Sequence, residues 1–480
     1  MTPLEVEVAI VGAGTAGMGA YRAARAIADS VLLIEGGSYG TTCARVGCMP
    51  SKLLIAAAEA AHHARQAQAF GVQVAAVTVD GAAVMSRVQR ERDRFVGFVL
   101  EAVDAIAPGD RLTAKVRFQD ANTLITDDGQ LIHAKRIVIA TGSTPVLPPV
   151  LAGLDAHLLT NENIFDLPNL PTSVAVFGPG VLGLELAQAI SRLGVRVKVF
   201  GVGGGIAGIQ DPAIRDYSNQ TFNKEFYLDA AAEVESVKET DTGVEISYLH
   251  RDGAWQTEAF DYALAATGRV PTVADLGLEH TGLQLNERGV PEFDRVTLQC
   301  GDSTIFIAGD ASNDSPLLHE AADQGRIAGE NAARFPDIRR GLRRRPLAVV
   351  FTDPQVASVG LNLKQLEQQY QDRFAVGLVS FEDQGRSRVM LRNQGLMKVY
   401  GEQGSGLFLG AEMFGPAAEH IGHLLAWAAQ QRMTVSSMLD MPFYHPVIEE
   451  GLRTALRDLN HRLHLGPQLV EGCMDCGPGA

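Results

Sequence analysis

Val6-Glu7-Val8-Ala9-Ile10-Val11-Gly12-Ala13-Gly14-Thr15-Ala16-Gly17 opens the chain, and the reading of this stretch decides the fold. A short apolar run ends in closely spaced glycines, a helical pattern follows to about Ala28, and Val31-Leu32-Leu33-Ile34 forms a second apolar run ending at Glu35. This predicts strand, glycine turn, helix and strand, the unit that holds a dinucleotide. Gly12, Gly14 and Gly17 allow a tight turn and close approach to a pyrophosphate, and the helix N-terminus attracts its charge. Glu35, about twenty residues beyond the glycines, stands where a carboxylate accepts hydrogen bonds from a ribose 2′-hydroxyl.

The unit recurs. Val174-Ala175-Val176-Phe177 leads into Gly178-Pro179-Gly180-Val181-Leu182-Gly183, a helix is predicted through Leu193, and Val195 to Phe200 reads as the second strand. One chain thus holds two dinucleotides. At the end of that strand an acidic residue would mark NAD and a basic one NADP, but the sequence reads Gly201-Val202-Gly203-Gly204-Gly205 and leaves the choice open. Ile137 to Gly142 and Ala263 to Gly268 are apolar runs ending in Ala-Thr-Gly, and they bracket the second unit like the edges of an insertion. Ile305 to Asp310 is a further strand ending in a carboxylate, where Asp310 can hold a ribityl hydroxyl or simply occupy a helix-entry turn.

Just after the first unit comes Cys43-Ala-Arg-Val-Gly-Cys48, followed by Met49-Pro50-Ser51-Lys52. This spacing lets one helical turn and its entry bring two sulfurs within the ~5.5 Å Cα separation of a disulfide. Pro50 suits a first helical position, which would put Cys48 near a helix N-terminus that favours thiolate. Beside a dinucleotide site, such a pair points to a flavin exchanging electrons with a disulfide.

Composition narrows the class. The 480 residues exceed one core and suggest about three domains. The net charge of −15 disfavours nucleic acid and anionic membrane as partners, and the short basic clusters between Arg339 and Arg345 read as a solvated linker. No apolar run reaches the ~18 residues of a membrane span, and Glu5 and Glu7 stand where a secretory signal would be basic, so a cytoplasmic protein is expected. Five cysteines make no disulfide framework. Beyond the arginines, Leu347 to Phe351, Met397 to Tyr400 and Gly406 to Met413 read as strands and Ala417 to Gln431 as a helix. A Gly- and Pro-rich tail closes with Cys473-Met-Asp-Cys476, either a second redox or metal-delivery pair or an incidental tail.

Taken together and in order, GAGTAG, TTCARVGCMPSK, ATG, GPGVLGLE, ATGRVP, IFIAGD and YHPVIEE resemble the class I pyridine nucleotide-disulfide oxidoreductases, the dihydrolipoamide dehydrogenases most closely, from Val6 to about Leu465. The resemblance implies an α/β fold of two Rossmann-like dinucleotide-binding domains, for FAD and NAD(P), with a C-terminal α+β dimerisation domain. The expected boundaries are 1–150 for FAD, 151–271 for NAD(P), 272–345 for a return to the FAD domain, 346–465 for the interface and 466–480 for the tail. Cys43 would be the outer thiol that meets substrate and Cys48 the inner thiol beside the flavin. Lys52 would pair with Glu185, and Thr42, Thr141, Gly142 and Gly268 would join the glycines, Glu35 and Asp310 in holding cofactor. His445 would be the acid/base, oriented by Glu450 and serving the partner subunit of a homodimer. The implied reaction is dihydrolipoamide oxidation by NAD through FAD, on a lipoyl-bearing protein or small dithiol. Glutathione-type and mercuric reductases using NADPH, or an assembly subunit of a lipoyl complex, are the alternatives.

The pattern departs from the family at Thr41, where a glycine is usual, at Arg45, where Asn is usual, at Gly201, and at Phe443-Tyr444-His445-Pro446-Val447. A change near the flavin phosphates or the substrate mouth is expected from the first two. No metal site is assigned to the body of the chain.

Overall fold

The structure, a computed structural model, describes residues 2–465, so the Cys473/Cys476 pair lies outside the described residues. Strands β1 (Leu4–Val11) and β2 (Val31–Glu35) pair in parallel, with helix α1 (Thr15–Arg25) crossing between them. Both faces of this sheet are covered, so its strands are apolar along their length toward the glycine turn; Val8, Ala9 and Ile10 are fully buried. Each such Ile or Val contributes about 1.5–3 kcal/mol by leaving water. The seven-stranded sheet continues through Leu131–Ile139, which pairs in parallel with β1 on one side and with Ile305–Ile307 on the other. Helix Leu318–Arg334 lies against α1, and the approach is close because a Cβ on Gly325 or Gly329 would fall 2.1 or 2.3 Å from the carbonyl oxygens of Ala16 and Ala20.

Between Leu131–Ile139 and Ile305–Ile307 the chain leaves the first sheet and builds a second. Five parallel strands run in the order Tyr227–Asp229, Arg196–Phe200, Ser173–Phe177, Tyr262–Ala265 and Leu158–Leu159. The excursion starts and ends in a two-stranded ribbon, Ser143–Pro145 against Arg269–Pro271, immediately after the two Ala-Thr-Gly segments. The two glycine turns are built alike. A Cβ on Gly17 would lie 1.7 Å from the oxygen of Gly12, and one on Gly183 would lie 1.9 Å from that of Gly178. Helix and strand can approach only because these residues have no side chain.

A third, antiparallel sheet orders Leu347–Val350, Gln355–Gly360, Phe408–Gly415, Leu396–Glu402 and Phe374–Ser380. Helices Ala418–Gln430 and Glu450–Arg462 pack on it. The buried Glu412 ties this sheet to the second one, accepting from the amides of Gln210 (2.7 Å), Asp211 (3.2 Å) and Leu363 (3.0 Å) and from the Tyr400 hydroxyl (3.0 Å).

Most of the arginine-rich stretch is exposed as expected, and Arg343 is the exception. Arg343 is largely buried and donates to Asp314 (2.9 Å) and Glu320 (2.7 Å), while Arg344 pairs with Asp323 (2.9 Å). Glu320 and Asp323 are buried on helix Leu318–Arg334, and a buried carboxylate without a cation is costly, which draws Arg343 in and holds the exposed Arg344 over Asp323. No described helix is long and apolar enough to cross a membrane.

Candidate active site

Helix α2 (Thr42–Val46) carries Cys43, and α3 (Cys48–Gln66) begins at Cys48. The cysteines therefore belong to two helical segments, not to one turn. Gly47 joins them at φ −133° and ψ −116°, and a Cβ there would come 2.9 Å from the oxygen of Thr42 and 3.2 Å from the Cα of Cys43. Pro50 is the third residue of α3 rather than the first, still within the turn whose N–H groups need no helical acceptor. Thr41, at φ 60°, occupies backbone space that favours glycine, and its Oγ1 accepts from the amide of Ala44 (3.3 Å) to cap α2. The stem of Arg45 packs over Gly40, and its guanidinium donates to the carbonyl of Ser38 (3.3 Å).

Both cysteines are thiols in the structure. The Cys48 pKa is lowered to about 7, first by a hydrogen bond from Cys43 and then by the charge of Lys52, against the opposing effect of burial. The Cys43 thiol is pushed up by that same bond and by burial. Of the two thiols, Cys48 is therefore the one that ionises first. Lys52, one turn along α3, places Nζ 2.7 and 2.9 Å from the two oxygens of Glu185, and 4.6 Å from the centre of the Phe351 ring. Glu185, on helix Val181–Arg192, is 2% exposed and also accepts from the amide of Phe351 (2.9 Å). Three parts of the chain therefore meet beside Cys48.

A cavity of about 530 Å³ brings together Gly14, Thr42, Cys43, Cys48, Lys52, Gly142, Glu185 and Asp310. Its donor set fits FAD. Gly14 caps α1 without a side-chain hydrogen bond, and a Cβ there would meet nothing within 4 Å, so the helix N-terminus is open to a pyrophosphate. Glu35 accepts from the amides of Ala13 (2.7 Å) and Gly37 (2.8 Å), which fixes its carboxylate at the end of β2. The hydroxyl of Thr141 is buried with no protein partner. Asp310 accepts from the Ser143 hydroxyl (2.8 Å).

Ser143 belongs to a chain of polar contacts that the sequence alone did not single out. Arg269 donates from Nε to Ser143 (2.8 Å) and from Nη1 to Asn161 (3.0 Å), and Asn161 donates to the carbonyl of Val46 (2.9 Å). Asp310 is thereby connected to the end of the helix that carries Cys43. The available signal was Arg269 itself, next to Ala-Thr-Gly, in a segment whose strand and glycine attracted the attention. A second, largely apolar cavity of about 800 Å³, lined by Gly178, Gly180 and Gly268, shares Asn161, Val181, Leu182 and Arg269 with the first. Its glycine turn fits a second dinucleotide, adjoining the first.

His445 and Glu450 also meet: Nδ1 and Oε1 are 2.9 Å apart, while Oε2 accepts from the amide of Val447 (3.0 Å). The Glu450 side chain is 4% exposed and that of His445 is 79% exposed. A carboxylate bound to Nδ1–H leaves Nε2 facing outward as a base. His445 does not line the cysteine cavity of its own chain.

Comparison with known proteins is consistent along the chain. The family model for pyridine nucleotide-disulphide oxidoreductases matches residues 6–325, and that for their dimerisation domain matches residues 347–456. A dihydrolipoyl dehydrogenase of Geobacillus stearothermophilus is 29% identical over 456 residues, covering 93% of this chain and 94% of the relative. A mercuric reductase of Shigella flexneri is 31% identical over 475 residues, covering 95% and 81%. The same fold occurs in LpdA from Mycobacterium tuberculosis (TM-score 0.80, 24% identity, 94% and 99% coverage) and in the HOCl-induced flavoprotein disulfide reductase RclA from Escherichia coli (TM-score 0.78, 23% identity, 96% and 100% coverage). With its paired dinucleotide folds, its cysteine pair and these matches, the chain belongs to the pyridine nucleotide-disulphide oxidoreductases, a family of flavin-dependent enzymes.

Proposed function

We propose that the protein oxidises dihydrolipoamide, free or carried on a lipoyl protein, and passes the electrons through Cys43, Cys48 and FAD to NAD, acting as a homodimer. We assign 1–150 with 272–345 to FAD, 151–271 to the nicotinamide nucleotide and 346–465 to the subunit interface. The observation that carries the dithiol reading is the His445–Glu450 pair, since a thiol substrate has to lose a proton before it attacks a disulfide and a fixed, exposed imidazole supplies the acceptor.

In the reaction so assigned, Nε2 of His445, from the partner subunit, takes a proton from one substrate thiol. The resulting thiolate attacks Sγ of Cys43 in the oxidised pair; the Cys43–Cys48 bond breaks and Cys48 leaves as a thiolate. Lys52 stabilises that charge, and a hydrogen bond from Cys43 joins it once Cys43 is a thiol again. The second substrate thiol then attacks the substrate sulfur of the mixed disulfide, the bond to Cys43 breaks and the cyclic disulfide product departs; Cys43 leaves as thiolate and takes up the proton held by His445, which receives the second thiol's proton in its place. Two electrons have moved from the substrate to the cysteine pair, and a bound flavin supplies two-electron transfer onward to a nicotinamide. Glu185 keeps Lys52 in place, and Arg269 and Ser143 hold Asp310 toward the ribityl side.

The test is the initial rate of NAD reduction by dihydrolipoamide with purified FAD-loaded protein, alongside a His445→Gln variant. Turnover that drops at least about a hundredfold in the variant supports the reading. No turnover with NAD or NADP despite bound FAD refutes it. Hg(II)-dependent oxidation of NADPH in the same preparation would then substitute the activity named for the mercuric reductase relatives.

A further inference from the structure

The two glycine turns of this chain allow a direct comparison of how each treats the adenosine ribose. Gly12 donates from its amide to Ile34 (2.7 Å), and Gly178 donates to Phe200 (2.8 Å), so Ala13 corresponds to Pro179 and Glu35 to Gly201. In the first turn the Glu35 carboxylate is anchored by the amide of Ala13 (2.7 Å). In the second turn Pro179 has no amide hydrogen to offer. Its ring also takes the space: a Cβ on Gly201 would lie 2.6 and 2.7 Å from Cγ and Cδ of Pro179, and 2.8 Å from the oxygen of Ala230. The Pro179 ring and the Ala230 carbonyl together leave position 201 no room for a side chain, and a carboxylate there would also lack an anchor.

No cation takes its place. Val202, 93% exposed, follows Gly201 on the cavity wall. Among the described residues lining this cavity Arg269 is the one ionisable side chain, and Ser143 and Asn161 hold it. A Cβ on Gly203, Gly204 or Gly205 would meet nothing within 4 Å, so the loop after Val202 borders open space.

Discrimination between NAD and NADP comes from a carboxylate that binds the 2′-hydroxyl and repels a phosphate, or from a cation that does the reverse. One charge-assisted hydrogen bond of this kind is worth roughly a ten- to hundredfold preference. We propose that the second dinucleotide cleft binds NAD and NADP with affinities within about tenfold of each other, and that Pro179 and Gly201 jointly set this permissiveness. The proposal rests on the functional reading above only in taking the second dinucleotide to be a nicotinamide nucleotide.

Calorimetric titration of the oxidised FAD-loaded protein with NAD and with NADP tests it without turnover. The wild-type dissociation constants should agree within about tenfold. Val202→Arg, on a residue without packing to lose, should move the ratio at least about fivefold toward NADP. Pro179→Ala with Gly201→Glu removes the ring and restores an amide anchor, leaving only the Ala230 carbonyl to give way, and should move the ratio toward NAD, whereas Gly201→Glu alone should weaken both nucleotides. A wild-type preference above tenfold, binding of neither nucleotide, an unmoved ratio in Val202→Arg, or a single Gly201→Glu variant that matches the double overturns the proposal. Should the double variant not retain FAD, Val202→Arg decides. Flavin reduction by dihydrolipoamide without any nucleotide reports on the dithiol reading independently, so the two can fail separately.

Discussion

Replacing Cys43 by alanine removes the hydrogen bond that contributes most to lowering the Cys48 pKa from its ordinary 9.0 to about 7. Burial, which raises the pKa, is then opposed chiefly by Lys52, which lowers it. Because Cys48 opens onto the cavity, water screens part of the effect, and a rise of about one unit is expected. At pH 7 the thiolate fraction would fall from about half to about a tenth. Since the thiolate is the reactive species, alkylation of Cys48 by iodoacetamide should slow roughly fivefold at that pH and recover as pH rises. Cys43→Ser keeps an O–H donor at the same place and should titrate close to 7. The assay is the pH dependence of alkylation for both variants in the reduced, FAD-loaded state. If the alanine and serine variants titrate together, the hydrogen bond between residues 43 and 48 is not what holds the charge, and the assignment of Cys48 as the resident thiolate loses its physical basis.

Gly17→Ala should abolish folding of the first sheet, because its Cβ would stand 1.7 Å from a carbonyl oxygen, while Gly14→Ala should fold but retain little FAD, its Cβ facing only open space; flavin content against circular dichroism separates them. Glu450→Gln should keep FAD and the fold yet cut dithiol turnover by about a hundredfold or more by releasing the His445 tautomer, and an unchanged rate would contradict the role given to the pair. Glu412→Ala leaves four donors without their acceptor, at about 1 kcal/mol each, so urea unfolding should show a loss of about 3–4 kcal/mol, and a loss under about 1 kcal/mol would mean that water replaces the carboxylate.

Much of this protein was legible in one dimension. The strand, glycine and helix order of Val6 to Glu35 and its repeat from Val174 to Phe200 specify parallel sheets, because a turn that brings backbone within contact of backbone admits no side chain at Gly17 or Gly183. The cysteine pair and the glycine between them were likewise local, and so was the spacing of His445 and Glu450 on the entry to one helix. What the sequence could not show is whatever depends on residues far apart in the chain. Lys52 meets Glu185 across 133 positions, Ser143 meets Arg269 across 126, and Glu412 reaches back to Gln210. Arg343 and Arg344, in a stretch that looks like a solvated linker, are held on buried acids of a helix that precedes them. The missing carboxylate at Gly201 was visible as an absence, but only packing showed that Pro179 and the Ala230 carbonyl exclude it. Backbone geometry at a turn is a demand on a few neighbouring residues and leaves its mark in their identities. Pairing of buried charges and exclusion of a side chain by a distant ring are set by which surfaces the folded chain presses together, so the tertiary structure alone decided them.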